Sequence, residues 1–145
     1  MADSLRLARV VQVCARGFGK LGRERARAGD ITPQQADALE VIEARGVVST
    51  GTLATTLGID PSTASRNISC LARAGLITRK GSADDRRQSD IRLTPKGKRM
   101  AETLGTETLR AFNAVLDRVP RAERQRVVDA LGVLAQAVTA GEPRS

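Results

Sequence analysis

The stretch LGIDPSTASRNISCL, residues 57–71, decides how this chain is read. Leu57-Gly58-Ile59-Asp60 is a short glycine-containing turn ending in a capping aspartate, and Pro61 takes the first position of the helix that follows. Upstream, Ser49 or Thr50 caps a shorter helix that buries Leu53, Ala54 and Leu57. Two short helices therefore meet at a tight corner, as in a helix-turn-helix. In the second helix Ala64, Ile68 and Leu71 fall at i, i+4 and i+7 and face the core, with Gly75 as the stop. The opposite face is Ser62, Thr63, Ser65, Arg66, Ser69 and Arg73. A plain helical hairpin is the competing reading, but its surface would more often carry Glu and Lys, and serine and threonine are mediocre helix formers. Small hydroxyls and long guanidinium groups without a carboxylate suit an anionic partner. The first turns suit base edges and phosphates in a DNA major groove.

Downstream, Leu76-Ile77-Thr78-Arg79-Lys80 and Ser89-Asp90-Ile91-Arg92-Leu93 have strand composition and are expected to pair as a hairpin. Between them, Gly81 to Gln88 holds no apolar side chain larger than Ala83, so this segment reads as a solvated tip. A two-stranded ribbon after a recognition helix is a wing. An arginine at its tip reaches an adjacent minor groove, where narrow A·T-rich DNA concentrates negative potential, and Arg86 and Arg87 are the candidates. Asp85 and Arg87, two apart in an extended chain, point the same way, so the carboxylate can brace the guanidinium. An ordinary solvated, salt-bridged loop is the other reading of Asp84 to Arg87.

On the N-terminal side, Thr32 is an N-cap, Pro33 the first helical residue, and Gln35 is placed to close a capping box. Ala36, Leu39 and Ile42 form that helix's apolar face, Gly46 ends it, and Val47-Val48 is a short extended piece. Farther back, Gly17-Phe18-Gly19-Lys20-Leu21-Gly22 fits the dinucleotide fingerprint G-x-G-x-x-G, with Val10-Val11-Gln12-Val13 in the place of its strand. Yet Leu7, Val11, Cys14, Phe18 and Leu21 recur at steps of four and three straight through the glycines, which is one helix face. No strand–helix repeats follow to build a parallel sheet. We read a helix, weakened by its glycines and bent or mobile in its second half.

A chain of 145 residues suits one domain. Lys and Arg number 24 against 16 Asp and Glu, a formal charge of +8 with a pI near 10.9. The charge is uneven. Residues 30–60 set Arg45 against Asp30, Asp37, Glu40, Glu43 and Asp60, while residues 78–99 reach +5 and residues 100–145 are neutral. Positive charge thus lies on one ribbon, the footprint of a polyanion binder. Histidine, tryptophan and tyrosine are absent, which removes the commonest general base and zinc ligand and most aromatic grips. Cys14 and Cys70 have no histidine to complete a tetrahedral metal site. We expect neither an enzyme, a metal site nor a cofactor. No 18-residue apolar run is present and MADSLRLARV lacks a signal peptide's core, so a cytoplasmic protein with free thiols, not a membrane one, is expected.

Helix, turn and recognition helix, then Asp85-Arg86-Arg87 followed by Leu93-Thr94-Pro95-Lys96-Gly97, resemble the MarR family of bacterial regulators. The resemblance covers residues 32–100 and includes Ser62-Thr63-Ala64-Ser65-Arg66, Leu71 and Gly75-Leu76. It implies one domain over residues 1–145, mainly α with a small β-hairpin wing. Within it, residues 32–99 would form a winged helix-turn-helix module, and residues 1–31 and 100–145 dimerisation helices. Ser62, Thr63, Ser65 and Arg66 would read the major groove, Arg87 the minor groove, and Asp85 would orient Arg87. Asn67 stands where the family often has an aliphatic residue and is a further candidate contact.

From periodicity alone, Met100, Leu104, Phe112, Val115 and Leu116 after Thr94-Pro95, and Val127, Leu131, Leu134 and Val138 after Pro120, mark two amphipathic helices. Such helices serve either a subunit interface or an intrachain core. The resemblance selects the interface: a homodimer holding two recognition helices about one duplex turn apart on a pseudo-palindromic operator of double-stranded DNA. It implies a transcriptional regulator, and repression rather than activation. The alternative is a winged-helix interaction module that meets RNA or an acidic protein. On the apolar stripe of the first helix Cys14 reads first as a small buried hydrophobe. Some family members sense hydroperoxides through a cysteine in that helix, and by that resemblance the alternative is Cys14 as a sensor. Those sensors surround it with tyrosines; with none in this chain, oxidised Cys14 would need another donor or a thiol, and Cys70 is the other thiol. A small-molecule effector is the second expected signal.

Overall fold

Local capping chemistry sets most boundaries in this computed structural model, which describes residues 1–81 and 89–140. In chain order the elements are α1 (Ala2–Ala28), α2 (Pro33–Arg45), α3 (Thr50–Leu57), α4 (Pro61–Arg73), β1 (Ile77–Gly81), β2 (Ser89–Leu93), α5 (Pro95–Leu116) and α6 (Arg121–Ala140). The Thr32 hydroxyl accepts from the Gln35 backbone N–H at 3.2 Å, and the Gln35 side chain accepts from the Thr32 N–H at 3.1 Å, closing the capping box of α2. Ser49 caps α3 by accepting from the Thr52 N–H at 3.1 Å. Gly58 ends α3 at φ +61, a left-handed conformation that costs other residues more, and so turns the chain sharply into α4. α1 runs unbroken through Gly17, Gly19 and Gly22, which excludes the strand reading of the glycine fingerprint.

The chain divides into two compact units, Met1–Thr108 and Leu109–Ser145, with the boundary inside α5. In the first unit the core gathers Leu39 and Ile42 of α2, Leu53 of α3, Ile68 and Leu71 of α4, Leu76, Ile91 of β2 and Leu104 of α5, all fully buried. Each such aliphatic side chain contributes about 2 kcal/mol by leaving water. β1 and β2 pair antiparallel, Ile77 opposite Leu93 and Arg79 opposite Ile91. The extended piece before α3 is also paired. The Val48 N–H donates to the Ile91 carbonyl at 3.1 Å and the Ile91 N–H to the Val48 carbonyl at 2.8 Å, which ties the loop entering α3 to the wing.

The Leu93-Thr94-Pro95-Lys96-Gly97 stretch joins three elements at one point. The Thr94 hydroxyl accepts from the Gly97 N–H at 3.0 Å, capping α5, and donates to the Gly75 carbonyl at 2.6 Å. Lys96 Nζ donates to the Ala74 carbonyl at 2.8 Å, satisfying the end of α4. Gly97 itself is buried against the Leu76 backbone.

A second tie crosses the first unit. Arg25 of α1 donates through Nη1 to Glu40 Oε1 at 2.7 Å and to Thr108 Oγ1 at 2.9 Å, and through Nη2 to Asp37 Oδ1 at 2.8 Å. Its side chain is 13% exposed, and Nε is buried without a partner. The guanidinium therefore holds α1, α2 and the Thr108 turn of α5 by charge-assisted bonds, those to Glu40 and Thr108 part-buried and the one to Asp37 at the surface. Arg25→Met, which keeps an apolar stem, is expected to cost about 2 kcal/mol, because Asp37 and Glu40 regain water when freed. Urea unfolding measures it, and a change below about 0.5 kcal/mol would reduce the cluster to a surface ion pair.

Beyond these contacts α1 and α6 bury little side-chain surface. α1 buries Ala26 alone, leaving Leu5, Leu7, Val10, Val11 and Val13 exposed. In the second unit α6 has no buried residue, and Arg124 of that helix donates to the Val119 carbonyl at 3.1 Å and to Asp117 at 3.4 Å.

Candidate nucleic-acid interface

The N-terminal turn of α4 is organised by one carboxylate. Asp60 Oδ1 accepts from the Thr63 N–H at 2.9 Å and from the Ser62 hydroxyl, and Oδ2 accepts from the Thr63 hydroxyl at 2.6 Å. Thr63 Oγ1 in turn accepts from Arg66 Nη2 at 3.2 Å. The Asp60 carboxyl is held far below the ordinary carboxylate range, first by the Ser62 hydroxyl, then by the Thr63 hydroxyl and the Thr63 N–H. A depressed value means that the ionised cap supports the helix at every pH above the ordinary carboxylate range. That support is lost only as the pH falls through the depressed value, in strong acid.

Farther along α4, Ser62 and Arg66 are exposed and Thr63, Ser65 and Asn67 half-buried, so the five candidate residues of this helix sit on or beside its open face. Asn67 Nδ2 donates to Gln34 Oε1 of α2 at 3.3 Å, linking the start of α2 to the recognition face. The Ser69 hydroxyl donates to the Ser65 carbonyl at 2.9 Å, within the helix. Cys70 is half-buried and its sulfur accepts from Arg73 Nη2 at 3.3 Å. Of the residues of this site, Asp60 enters the sequence reading only as a cap, and Gln34 does not enter it. The signal for Asp60 is its two hydroxyl neighbours at +2 and +3; for Gln34 nothing local points to Asn67.

At the wing root Arg79, Lys80 and Arg92 are exposed on the hairpin, Thr78 opposite Arg92 and Lys80 opposite Asp90. Asp85, Arg86 and Arg87 lie outside the described residues. Behind the wing a cavity of about 390 Å³ is lined by Ile42, Glu43, Val47, Arg92, Lys98 and Glu102, two cations and two anions over an apolar floor. Cys14 lies on α1, half-buried in a shallow apolar hollow with Arg9, Val10 and Val13. Cys14 and Cys70 are both free thiols, carried on different helices. Among the described residues no group of three His, Cys, Asp or Glu side chains is placed to hold a metal ion, and no helix is long and apolar enough to cross a membrane.

A helix-turn-helix followed by an antiparallel hairpin, with an exposed hydroxyl and arginine face on its second helix, defines a winged helix-turn-helix protein. Residues 29–88 match the model of the MarR family, and the chain resembles regulators of that family. It is similar to a MarR family protein from Bacillus stearothermophilus, 25% identical at a TM-score of 0.84 over 95% of this chain and 96% of that one. MepR of Staphylococcus aureus, solved as a MepR–DNA complex, shares the fold at a TM-score of 0.76 and 19% identity over 91% of this chain and 97% of that one. A curated relative is the uncharacterized HTH-type transcriptional regulator YdgG of Bacillus subtilis (strain 168). It is 25% identical over 114 residues, 77% of this chain and 75% of that protein.

Proposed function

We propose that the protein is a sequence-specific DNA-binding transcriptional repressor that acts in the cytoplasm, as a homodimer on a pseudo-palindromic operator. The observation that carries this reading is the open face of α4, where Ser62, Ser65, Arg66 and Arg73 stand without a carboxylate between Pro61 and Arg73. In this reading α4 lies in the major groove with Ser62, Thr63, Ser65, Arg66 and Asn67 towards the bases, and Arg86 and Arg87 extend from the wing, Arg87 braced by Asp85 in the minor groove. The MepR–DNA complex supports duplex DNA as the partner. The uncovered apolar residues of α1 and the absence of any buried residue in α6 support a second subunit.

A footprint on the DNA upstream of the protein's own gene tests the reading. Two protected half-sites about one helical turn apart are expected; no protection of any duplex refutes it. On that operator Arg66→Ala should lose about 1–3 kcal/mol, concentrated at particular base pairs. Arg87→Ala should weaken specific and unrelated duplexes alike and lower the salt slope by about one phosphate's worth. An unchanged slope and affinity would remove Arg87 from the interface.

Release follows oxidation of Cys14 or the binding of a small effector, and one comparison separates them. If the thiol is the trigger, mild peroxide lowers the DNA affinity of the wild type and leaves Cys14→Ser unaffected. Equal responses reject Cys14 and leave the effector.

A further inference from the structure

The hydroxyl groups at the start of α4 have a direction, and the direction is chemical information. Asp60 is an ionised carboxylate and can only accept. The protons between Asp60 and Ser62, and between Asp60 and Thr63, therefore belong to the two hydroxyls, each of which has one to give. What Ser62 Oγ turns outward is lone pairs. Thr63 Oγ1 is further committed on its acceptor side to Arg66 Nη2 at 3.2 Å. Neither hydroxyl can donate to a phosphate oxygen, to a base keto oxygen or to N7 without first abandoning Asp60.

We infer that Asp60 is a specificity-determining residue: it fixes Ser62, and with it Thr63, as hydrogen-bond acceptors, so the first turn of α4 selects an amino base over a keto base on the strand it faces. The inference rests on the proposed docking of α4 in the major groove. There, the exocyclic donors are the N6 amine of adenine and the N4 amine of cytosine, while guanine and thymine present O6 and O4 acceptors at the corresponding place. A fixed acceptor accordingly accepts A or C and leaves G or T facing lone pair against lone pair. The strong depression of the Asp60 carboxyl is the electrostatic face of the same bonds. The α4 N-terminus favours the carboxylate there, so the arrangement survives the approach of a polyanion. Arg66, tethered at one nitrogen by Thr63, keeps its remaining N–H groups for a guanine edge or a phosphate one turn along.

The test uses the full-length protein and the operator defined by footprinting, with single adenines replaced by purine and single cytosines by 2-pyrimidinone, each lacking only the amine. For the wild type, affinity should fall about fivefold at one or two positions per half-site, the worth of one lost hydrogen bond, and stay unchanged elsewhere. Ser62→Ala should bind more weakly and lose that sensitivity. Asp60→Asn keeps a good N-cap but brings an amide donor into the cluster, so one hydroxyl proton is freed. Selection from operators randomised at those positions should then move from A or C towards G or T, with helix content by circular dichroism unchanged.

Wild-type affinity indifferent to amine removal at every position overturns the inference, as does an identical base preference in wild type and Asp60→Asn. In both cases sequence-specific binding persists and the regulator reading stands. Failure to bind any duplex refutes the regulator reading and the inference together.

Discussion

Gly97→Ala lowers the thermal unfolding midpoint by about 10 °C or more. A Cβ on Gly97 would stand 1.9 Å from the Leu76 carbonyl oxygen and 2.9 Å from its carbonyl carbon, both of them backbone atoms that no rotamer change can move aside. The Leu76 carbonyl also accepts from the Thr94 N–H at 3.0 Å, and the Thr94 hydroxyl holds the Gly75 carbonyl, so the chain on both sides of the clash is pinned. Relief requires α5 to withdraw from the α4–β1 junction, breaking the Thr94 and Lys96 bonds together. Overpacking costs about 1–3 kcal/mol when side chains can yield, and here they cannot, so about 3 kcal/mol or more is expected. For a chain of this length that corresponds to roughly 10 °C. Calorimetry decides it. A shift under about 3 °C would mean that α5 slides easily, and the α4–wing–α5 junction would lose its claim to rigidity.

In the proposed homodimer, lysines at both Leu131 and Leu134 should leave a monomer and weaken operator binding about 100-fold or more. α6 has no buried residue, so charges at these positions are not set into an intrachain core. Leu131 is 48% exposed and lies on the same stripe as Val127 and Val138, an apolar surface that water would cover in a lone chain. With one recognition helix instead of two, the gain from linking two half-site contacts disappears, and that gain is about 100- to 10,000-fold. Light scattering reads the mass and circular dichroism confirms that the helices persist. A variant that stays dimeric at micromolar concentration places the interface elsewhere.

The helix boundaries were legible because caps are local. Thr32 with Gln35, Ser49, Asp60 with Pro61, and the glycines that follow each helix all act within four residues of the end they specify. The hairpin was legible from the strand composition of Leu76 to Lys80 and from Ile91 and Leu93, which alternate with charge. The Val48–Ile91 bridge was not, since a single pair of residues remote in sequence leaves no periodic trace. Arg25 was hidden for a related reason: it is one of several arginines on α1, and only the packed fold tells which one is drawn between Asp37, Glu40 and Thr108. At the candidate interface the residue types were readable and their state was not. Ser62 and Thr63 were visible as hydrogen-bonding groups, but whether they offer protons or lone pairs depends on the Asp60 carboxylate turning back on them, a matter of three-dimensional reach. Asn67 likewise could not be linked to Gln34 across 33 residues.

The Arg25–Thr108 bond joins residues 83 apart, which gives the first unit a timetable as well as a shape. On a ribosome adding about 5–20 residues per second, Thr108 follows Arg25 by roughly 4 to 17 s. Over that interval the guanidinium has its acidic partners on α2 but lacks its anchor on α5, and Gly97, which closes the helix-turn-helix against the wing, is also late. A nascent chain stalled before Thr108 therefore has the inner end of α1 fastened through Asp37 and Glu40 alone. Completion of the tie waits for α5.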